Sequence, residues 1–340
     1  MASQSGVTNK TVIITGGNTG LGYECARTIA SAYEGWHVII ASRSQEKAQE
    51  AVQRLIKETD HAQIEVMPLD LASLDSVRSF VQAFTERELP PLQAVVCNAG
   101  IQIVSGTTYT KDGFETTFGV NHLGHFLLVN LLQRHLVAPA RIIFVSSDTH
   151  DPTKRTGMPA PRYRSPEALA WPEKHLDPAE QADGPGLIGR RRYTTSKLCN
   201  IFCTYELARR LQGEGDSTEQ QSLTVNAFNP GGMPGTGLSR DWPPLARFIF
   251  NKIMLPLVPL MRLSGLDINT ASTSGKYLAR LVLDPQLTNV TGKYFSGLNE
   301  VPSSEESYDL DKARELWEGS AKLVKLASDE ALLPVHRTVL

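Results

Sequence analysis

Short apolar runs rich in β-branched residues alternate along the chain with longer stretches whose apolar positions recur every three to four residues. The runs Thr11–Thr15, His37–Ala41, Ile64–Met67, Ala94–Cys97, Arg141–Val145 and Ser222–Phe228 predict strands. The stretches Leu21–Ala32, Gln45–Glu58, Leu74–Arg87, Phe114–Leu136 and Thr194–Leu211 predict helices. Strands apolar on both sides and separated by helices imply a parallel sheet with right-handed crossovers. The expected fold class is α/β, a doubly wound parallel sheet in one domain, whose ligand site lies beyond the carboxyl ends of the strands.

Two segments break the rhythm. Residues 151–192 are rich in Pro, Gly and charge, too long for an ordinary connection, and start at a strand end where an active-site lid would sit. The second is Trp242 to Arg262, whose apolar run Phe248–Met261 is interrupted by Lys252, Pro256 and Pro259. A membrane span needs roughly 20 apolar residues, so this run predicts a substrate-covering helical flap, with peripheral membrane contact or a partner groove as the other readings.

The 340 residues are 41% hydrophobic and 21% charged, enough for a sizeable core and against general disorder. A net charge of −2 gives no footprint for nucleic acid. Met1 to Lys10 lack the layout of a signal peptide, which predicts a cytoplasmic protein. Cys25, Cys97, Cys199 and Cys203 are too scattered for a disulfide framework or a zinc site and are expected to be buried thiols.

Candidate chemistry begins after the first strand, at Gly16-Gly17-Asn18-Thr19-Gly20-Leu21-Gly22. Gly16 permits a tight turn, Gly20 lets backbone approach a pyrophosphate, Gly22 allows close helix packing, and the helix N-terminus favours negative charge. The second strand ends in Ser42-Arg43, with Lys47 one turn on, where an NAD site would carry an acid. Arg43 can grip a 2′-phosphate with a charge-assisted fork, so NADPH/NADP+ is the expected cofactor. The bland reading is a solvated helix start, although cations there are unfavourable without an anion to meet. Asp70-Leu71 ends the third strand, where the carboxylate would accept from an adenine amino group or cap the next helix. Asn98-Ala99-Gly100 ends the fourth and leaves room for a cofactor, or is only a turn.

Tyr193 and Lys197 stand four apart and share a helix face. A phenol titrates near pH 10 in peptides, so a neighbouring cation is what would stabilise its phenolate, and the two make a plausible acid/base pair. The spacing alone is common by chance.

With Asn121, Ser146-Ser147 and Asn229-Pro230-Gly231 added, these motifs stand in an order that resembles the short-chain dehydrogenase/reductase family over roughly residues 8 to 300. The resemblance implies a Rossmann-type sheet and a tetrad of Asn121, Ser147, Tyr193 and Lys197. The serine would orient a substrate carbonyl, the tyrosine pass the proton, the lysine lower the tyrosine pKa and hold the nicotinamide ribose, and the asparagine support a water relay. Ser146 is the alternative serine, and Pro230 and Gly231 join the cofactor set. Asn121-His122-Leu123-Gly124-His125-Phe126 and Ser196-Lys197-Leu198-Cys199-Asn200 look like the branch holding retinol dehydrogenases and light-dependent protochlorophyllide reductases. The paired Ser146-Ser147, and Gly235 where the photoenzymes often have threonine, depart from the latter. His122 and His125 are read as packing and hydrogen-bonding residues, and no metal is expected.

The resulting expectation is a dinucleotide-binding domain over residues 8–300, with an insertion at 151–192, a flap at 236–265 and a helical extension at 301–340. It would interconvert a carbonyl and an alcohol on a hydrophobic small molecule, as a monomer or homodimer; Trp242, Phe248, Phe250, Leu255, Leu257 and Met261 would meet that substrate or equally be core or dimer surface. Light-driven double-bond reduction is the alternative; a non-catalytic NADPH-sensing protein, which would have no need of the tetrad, is the alternative of another class.

Overall fold

The computed structural model describes residues 9–32, 35–178, 180, 183–213, 223–263, 267–327 and 330. Residues 1–8, Ser222 of the sixth expected strand, residues 264 and 265 of the flap, three residues of the insertion and most of 328–340 lie outside them.

Among the described residues eight strands form one sheet in the order β3-β2-β1-β4-β5-β6-β7-β8. They are β1 (Lys10–Thr15), β2 (Trp36–Ser42), β3 (Ile64–Pro68), β4 (Leu92–Cys97), β5 (Leu136–Val145), β6 (Leu223–Asn229), β7 (Lys293–Ser296) and β8 (Asn299–Glu300). All neighbours pair in parallel except β7 with β8. Strand order reverses between β1 and β4, which opens the crevice where ligands of such sheets bind.

Alternation along the strands feeds two cores. Ile13 joins α3 (Leu74–Thr85), α5 (Gly124–Leu132), α7 (Pro185–Gly213) and α11 (Leu310–Leu323) on one face. Val12 and Ile14 join α1 (Gly20–Ala30), α2 (Gln45–Thr59) and α10 (Ala271–Leu283) on the other. Each fully buried aliphatic or aromatic side chain contributes roughly 1.5–3 kcal/mol of transfer free energy. The expected doubly wound sheet is therefore what forms, and the four cysteines are free and buried.

Several boundaries differ from the periodicity. The expected helix Phe114–Leu136 divides into α4 (Thr116–Phe118), a π-helical turn at Gly119–Leu123, α5 and a 3-10 turn at Gln133–His135, and Leu136 already belongs to β5. From 117 to 133 every residue is buried, so apolar spacing carries no boundary within that stretch. The helix expected from Thr194 starts at Pro185, where proline suits a first helical turn, and so takes the last eight residues of the 151–192 segment. That segment also holds α6 (Pro166–Ala170). Strands β7 and β8, too short to show a period, went unread, as did α10. Helices α8 (Pro244–Phe248) and α9 (Met254–Leu263), joined by a π-helical turn at Ile249–Ile253, make up the flap region. Among the described residues no helix is long and apolar enough to cross a membrane.

Candidate active site

A cleft of about 1210 Å³ runs along the carboxyl ends of the strands. Its wall includes every residue expected to be catalytic or to hold the cofactor except Gly22 and Asn121.

At the dinucleotide end, Gly16 (φ +65°) and Gly20 (φ +56°) take left-handed backbone that other residues resist. Thr19 precedes α1 without a side-chain cap, the first turn has no acid, and Thr19, Gly20 and Leu21 line the cleft, which puts the positive end of the helix there. Gly22 sits behind the turn: a Cβ there would stand 2.5 Å from Asn98 Nδ2 and 2.7 Å from the Gly16 carbonyl oxygen. Asn98 therefore does more than leave space. Its Nδ2 donates to the Thr15 carbonyl (2.8 Å), and its N–H and that of Ala99 both donate to Thr15 Oγ1 (2.9 Å each), fastening the end of β4 to the end of β1.

Ser42 is buried at the end of β2, while Arg43 and Lys47 are exposed on the cleft wall beside Arg54. Asp70 accepts from Ala72 N (3.1 Å) and pairs with Lys111 Nζ (3.4 Å). It holds its own turn, and Ser73 caps α3 instead. Pro230 and Gly231 line the opposite side, held by Ser274 Oγ and Asn269 Nδ2, which donate to the Pro230 carbonyl at 2.6 and 3.2 Å.

At the other end, Tyr193 and Lys197 lie inside α7, 7% and 3% exposed. Lys197 Nζ donates to the Val145 carbonyl (3.0 Å) and stands 5.4 Å from the Tyr193 ring centroid. Burial pushes the lysine down to about 8 and the tyrosine up from its ordinary value. Desolvation is the cause of both shifts. The two serines divide their tasks. Ser146 is buried and its Oγ donates to the Lys197 carbonyl (2.8 Å), whereas Ser147 is partly open and its Oγ accepts from Thr149 N (3.3 Å).

Asn121 stands at the centre of the π-helical turn, a geometry frequent at functional sites. Its amide is committed: Oδ1 accepts from Ile101 N (2.8 Å), and Nδ2 donates to the Ile101 carbonyl (2.9 Å) and Ser196 Oγ (3.0 Å). A Cβ on Gly100 would lie 3.6 Å from both Asn121 Oδ1 and Lys197 Nζ, so the three converge. The Asn121 carbonyl is met by His125 Nδ1 at 3.1 Å, and His125 Nε2 lies 2.8 Å from Thr15 Oγ1. A carbonyl can only accept, so Nδ1 carries the proton and Nε2 accepts from the threonine. One buried, neutral histidine thereby joins the π-helical turn at Asn121 to Thr15 at the start of the glycine turn.

Of the six apolar flap residues expected to meet substrate, Trp242 and Phe250 line the cleft. Phe248, Leu255 and Leu257 are exposed and absent from its wall, a correction that follows from helix phase: Phe250 and Met254, four apart, take the inner face. The Met261 side chain lies outside the described residues. Gly235 has φ +85°, and a Cβ there would come 3.2 Å from Leu255 Cδ2, which accounts for glycine at that position. From the 151–192 segment, Lys154, Arg155, Thr156 and Met158 reach the cleft, while α6 packs away from it against α11.

Comparison with known proteins completes the assignment. Residues 10–157 match the family model for short chain dehydrogenases, and residues 240–333 match that of the AcuH dehydrogenase domain. The chain is 36% identical over 329 residues to protochlorophyllide reductase A of Arabidopsis thaliana, an alignment covering 93% of this chain and 77% of that protein. It is also 36% identical over 321 residues to the WW domain-containing oxidoreductase of Homo sapiens, covering 94% of this chain and 69% of that protein. The chain belongs to the short-chain dehydrogenase/reductase family.

Within the short-chain dehydrogenases/reductases it lies near the protochlorophyllide reductase branch. Solved structures share its fold. An uncharacterized protein from Mycobacterium paratuberculosis gives a TM-score of 0.63 at 28% identity, covering 94% of each chain. A short chain dehydrogenase from Shigella flexneri, complexed with NADP, gives 0.57 at 19% identity, covering 87% of this chain and 100% of that one. Sequence reading missed Met254, Arg240, Gln102 and Asp267 on the cleft wall. Met254 left a signal in its spacing of four from Phe250, and Arg240 stands in the Thr236–Arg240 stretch that opens the flap; Gln102 and Asp267 belong to no motif.

Proposed function

We propose that this short-chain dehydrogenase/reductase interconverts a carbonyl and an alcohol on an apolar substrate with NADP(H), Tyr193 acting as acid/base. The observation that carries the reading is that Ser147, Tyr193 and Lys197 open onto the same cleft as the glycine turn, under a wall of Trp242, Phe250 and Met254. The residues present fit the cofactor: glycines that leave backbone bare at an uncapped helix start, Arg43 just beyond β2, and Lys47 and Arg54 on α2. Bound there, NADPH would supply a hydride to the substrate carbonyl carbon. Tyr193 would give its hydroxyl proton to the carbonyl oxygen, and Ser147 Oγ would donate a hydrogen bond to the same oxygen. Lys197, while protonated, would stabilise the phenolate left behind. Burial that raises the Tyr193 pKa keeps the proton in place until substrate arrives, which suits the reductive direction.

A panel of apolar aldehydes, ketones and retinoids, followed at the NADPH absorbance band in the dark, tests the reading. Oxidation of NADPH with one of them is expected. The likeness to protochlorophyllide reductases supports a second reading, reduction of protochlorophyllide that proceeds only under illumination. Turnover there, with none across the dark panel, would replace the first reading.

Arg43→Ala is expected to raise the NADPH KM by roughly 10–100-fold, the loss of a charge-assisted hydrogen bond to phosphate. The NADH KM should barely move. Equal effects on the two cofactors would refute the assignment of Arg43 to the 2′-phosphate.

A further inference from the structure

The outer face of the flap is an anomaly for a chain with two well-packed cores. Of the thirteen exposed large hydrophobic residues among those described, seven fall between Leu245 and Leu260. Leu245 (72% exposed), Phe248 (57%), Ile249, Ile253, Leu257 and Leu260 (66%) recur at helical spacing along the continuous run from α8 through the π-helical turn into α9. The run is about 30 Å long at 1.5 Å per residue. Its opposite side is spoken for: Phe250 and Met254 line the cleft and Val258 is buried. An apolar patch of this extent on a soluble surface marks an interaction site.

Charge says what covers it. Between Asp241 and Asp267 the sequence holds Arg247, Lys252 and Arg262 and no acid, in a chain whose net charge is −2. Lys252 is exposed within the same row as Phe248 and Ile253. A second copy of the chain is a poor cover. A two-fold interface sets the patch against itself, bringing these cations together with no carboxylate in it to meet them. An anionic bilayer surface satisfies both features, since apolar side chains enter the acyl boundary while lysine and arginine reach the lipid phosphates.

We propose that the outer face of the helical run Pro244–Leu263 docks on an anionic lipid surface, lying in the interface rather than crossing it. Its root is fixed for this. Asp241 accepts from Val104 N (2.7 Å) and Ser105 N (3.0 Å), and Trp242 Nε1 donates to Gln102 Oε1 (2.6 Å), tying the flap to the segment after β4. The docked helix then separates the lipid from the cleft by the thickness of one helix, and an apolar molecule dissolved in the bilayer is delivered beside Phe250 and Met254.

The test is co-flotation of the whole chain with vesicles of phosphatidylcholine alone and of phosphatidylcholine with phosphatidylglycerol, alongside sedimentation velocity without lipid. Binding to the phosphatidylglycerol vesicles is expected, weakened by raising the salt. Phe248→Ser with Leu260→Ser, and separately Lys252→Glu, should each lower the partition coefficient by about tenfold or more. All these side chains are exposed and lie off the cleft wall, so NADPH binding serves as the folding control. No flotation, flotation indifferent to lipid charge or to the substitutions, or a dimer that the same substitutions dissolve without any vesicle binding, each overturns the proposal.

Discussion

Tyr193→Phe is expected to lower kcat by about 10²–10⁴ while NADPH affinity stays close to that of the parent chain. The substitution removes one hydroxyl and leaves the ring, which is buried in α7 where phenylalanine fits without a cavity. The Lys197 ammonium stays on the Val145 carbonyl, since that contact does not involve the phenol. The glycine turn, Arg43 and the Asn98 clasp on Thr15 are likewise untouched. Only the proton source for the substrate oxygen is lost. Cofactor affinity read by fluorescence titration and single-turnover oxidation of NADPH separate the two effects. Substantial turnover in the variant would remove Tyr193 from the acid/base role, and a parallel loss of NADPH affinity would make its effect structural.

Much of this architecture was legible before any coordinates, for identifiable reasons. Central strands such as β1 and β4 are short β-branched apolar runs bounded by polar turns, so each stands out as a strand. The glycine turn carries its own meaning because backbone near phosphate tolerates few side chains. What was hidden depends on the third dimension. The stretch 117–133 is buried all round, so nothing in its polarity announces the π-helical turn that places Asn121. Phe248 and Phe250 are chemically alike, and only helix phase decides that one faces water and the other the cleft. The division between Ser146 and Ser147 likewise follows from which hydroxyl meets the Lys197 carbonyl, a contact 51 residues away in sequence.

The same buried helix sets an acid limit on the fold. His125 and His122 are fully buried, and desolvation, with the Lys197 charge a lesser cause for His125 and the His125 charge for His122, pushes them down to about 4 and about 3. In the unfolded chain each titrates near pH 6.5. Below that pH the unfolded state binds two protons that the folded state refuses, so stability must fall as pH falls. The loss stops only near the folded values. Around pH 5 the slope from both groups is about 2.7 kcal/mol per pH unit, enough to unfold a domain of ordinary stability within a few units. Denaturant midpoints measured from about pH 7 to about pH 5 should show it, and His125→Gln should halve the slope. Its chemical consequence is also distinct. A protonated His125 has no lone pair for the Thr15 hydroxyl, so in the folded state the strut from Thr15 to Asn121 opens only near pH 4, below most of the stability loss. NADPH affinity of the folded chain is therefore expected to hold between about pH 7 and about pH 5 while the denaturant midpoint falls. Affinity lost over that range in the still-folded chain would show that His125 takes up its proton near the ordinary pH, and stability unchanged between those pH values would show that neither histidine is held neutral.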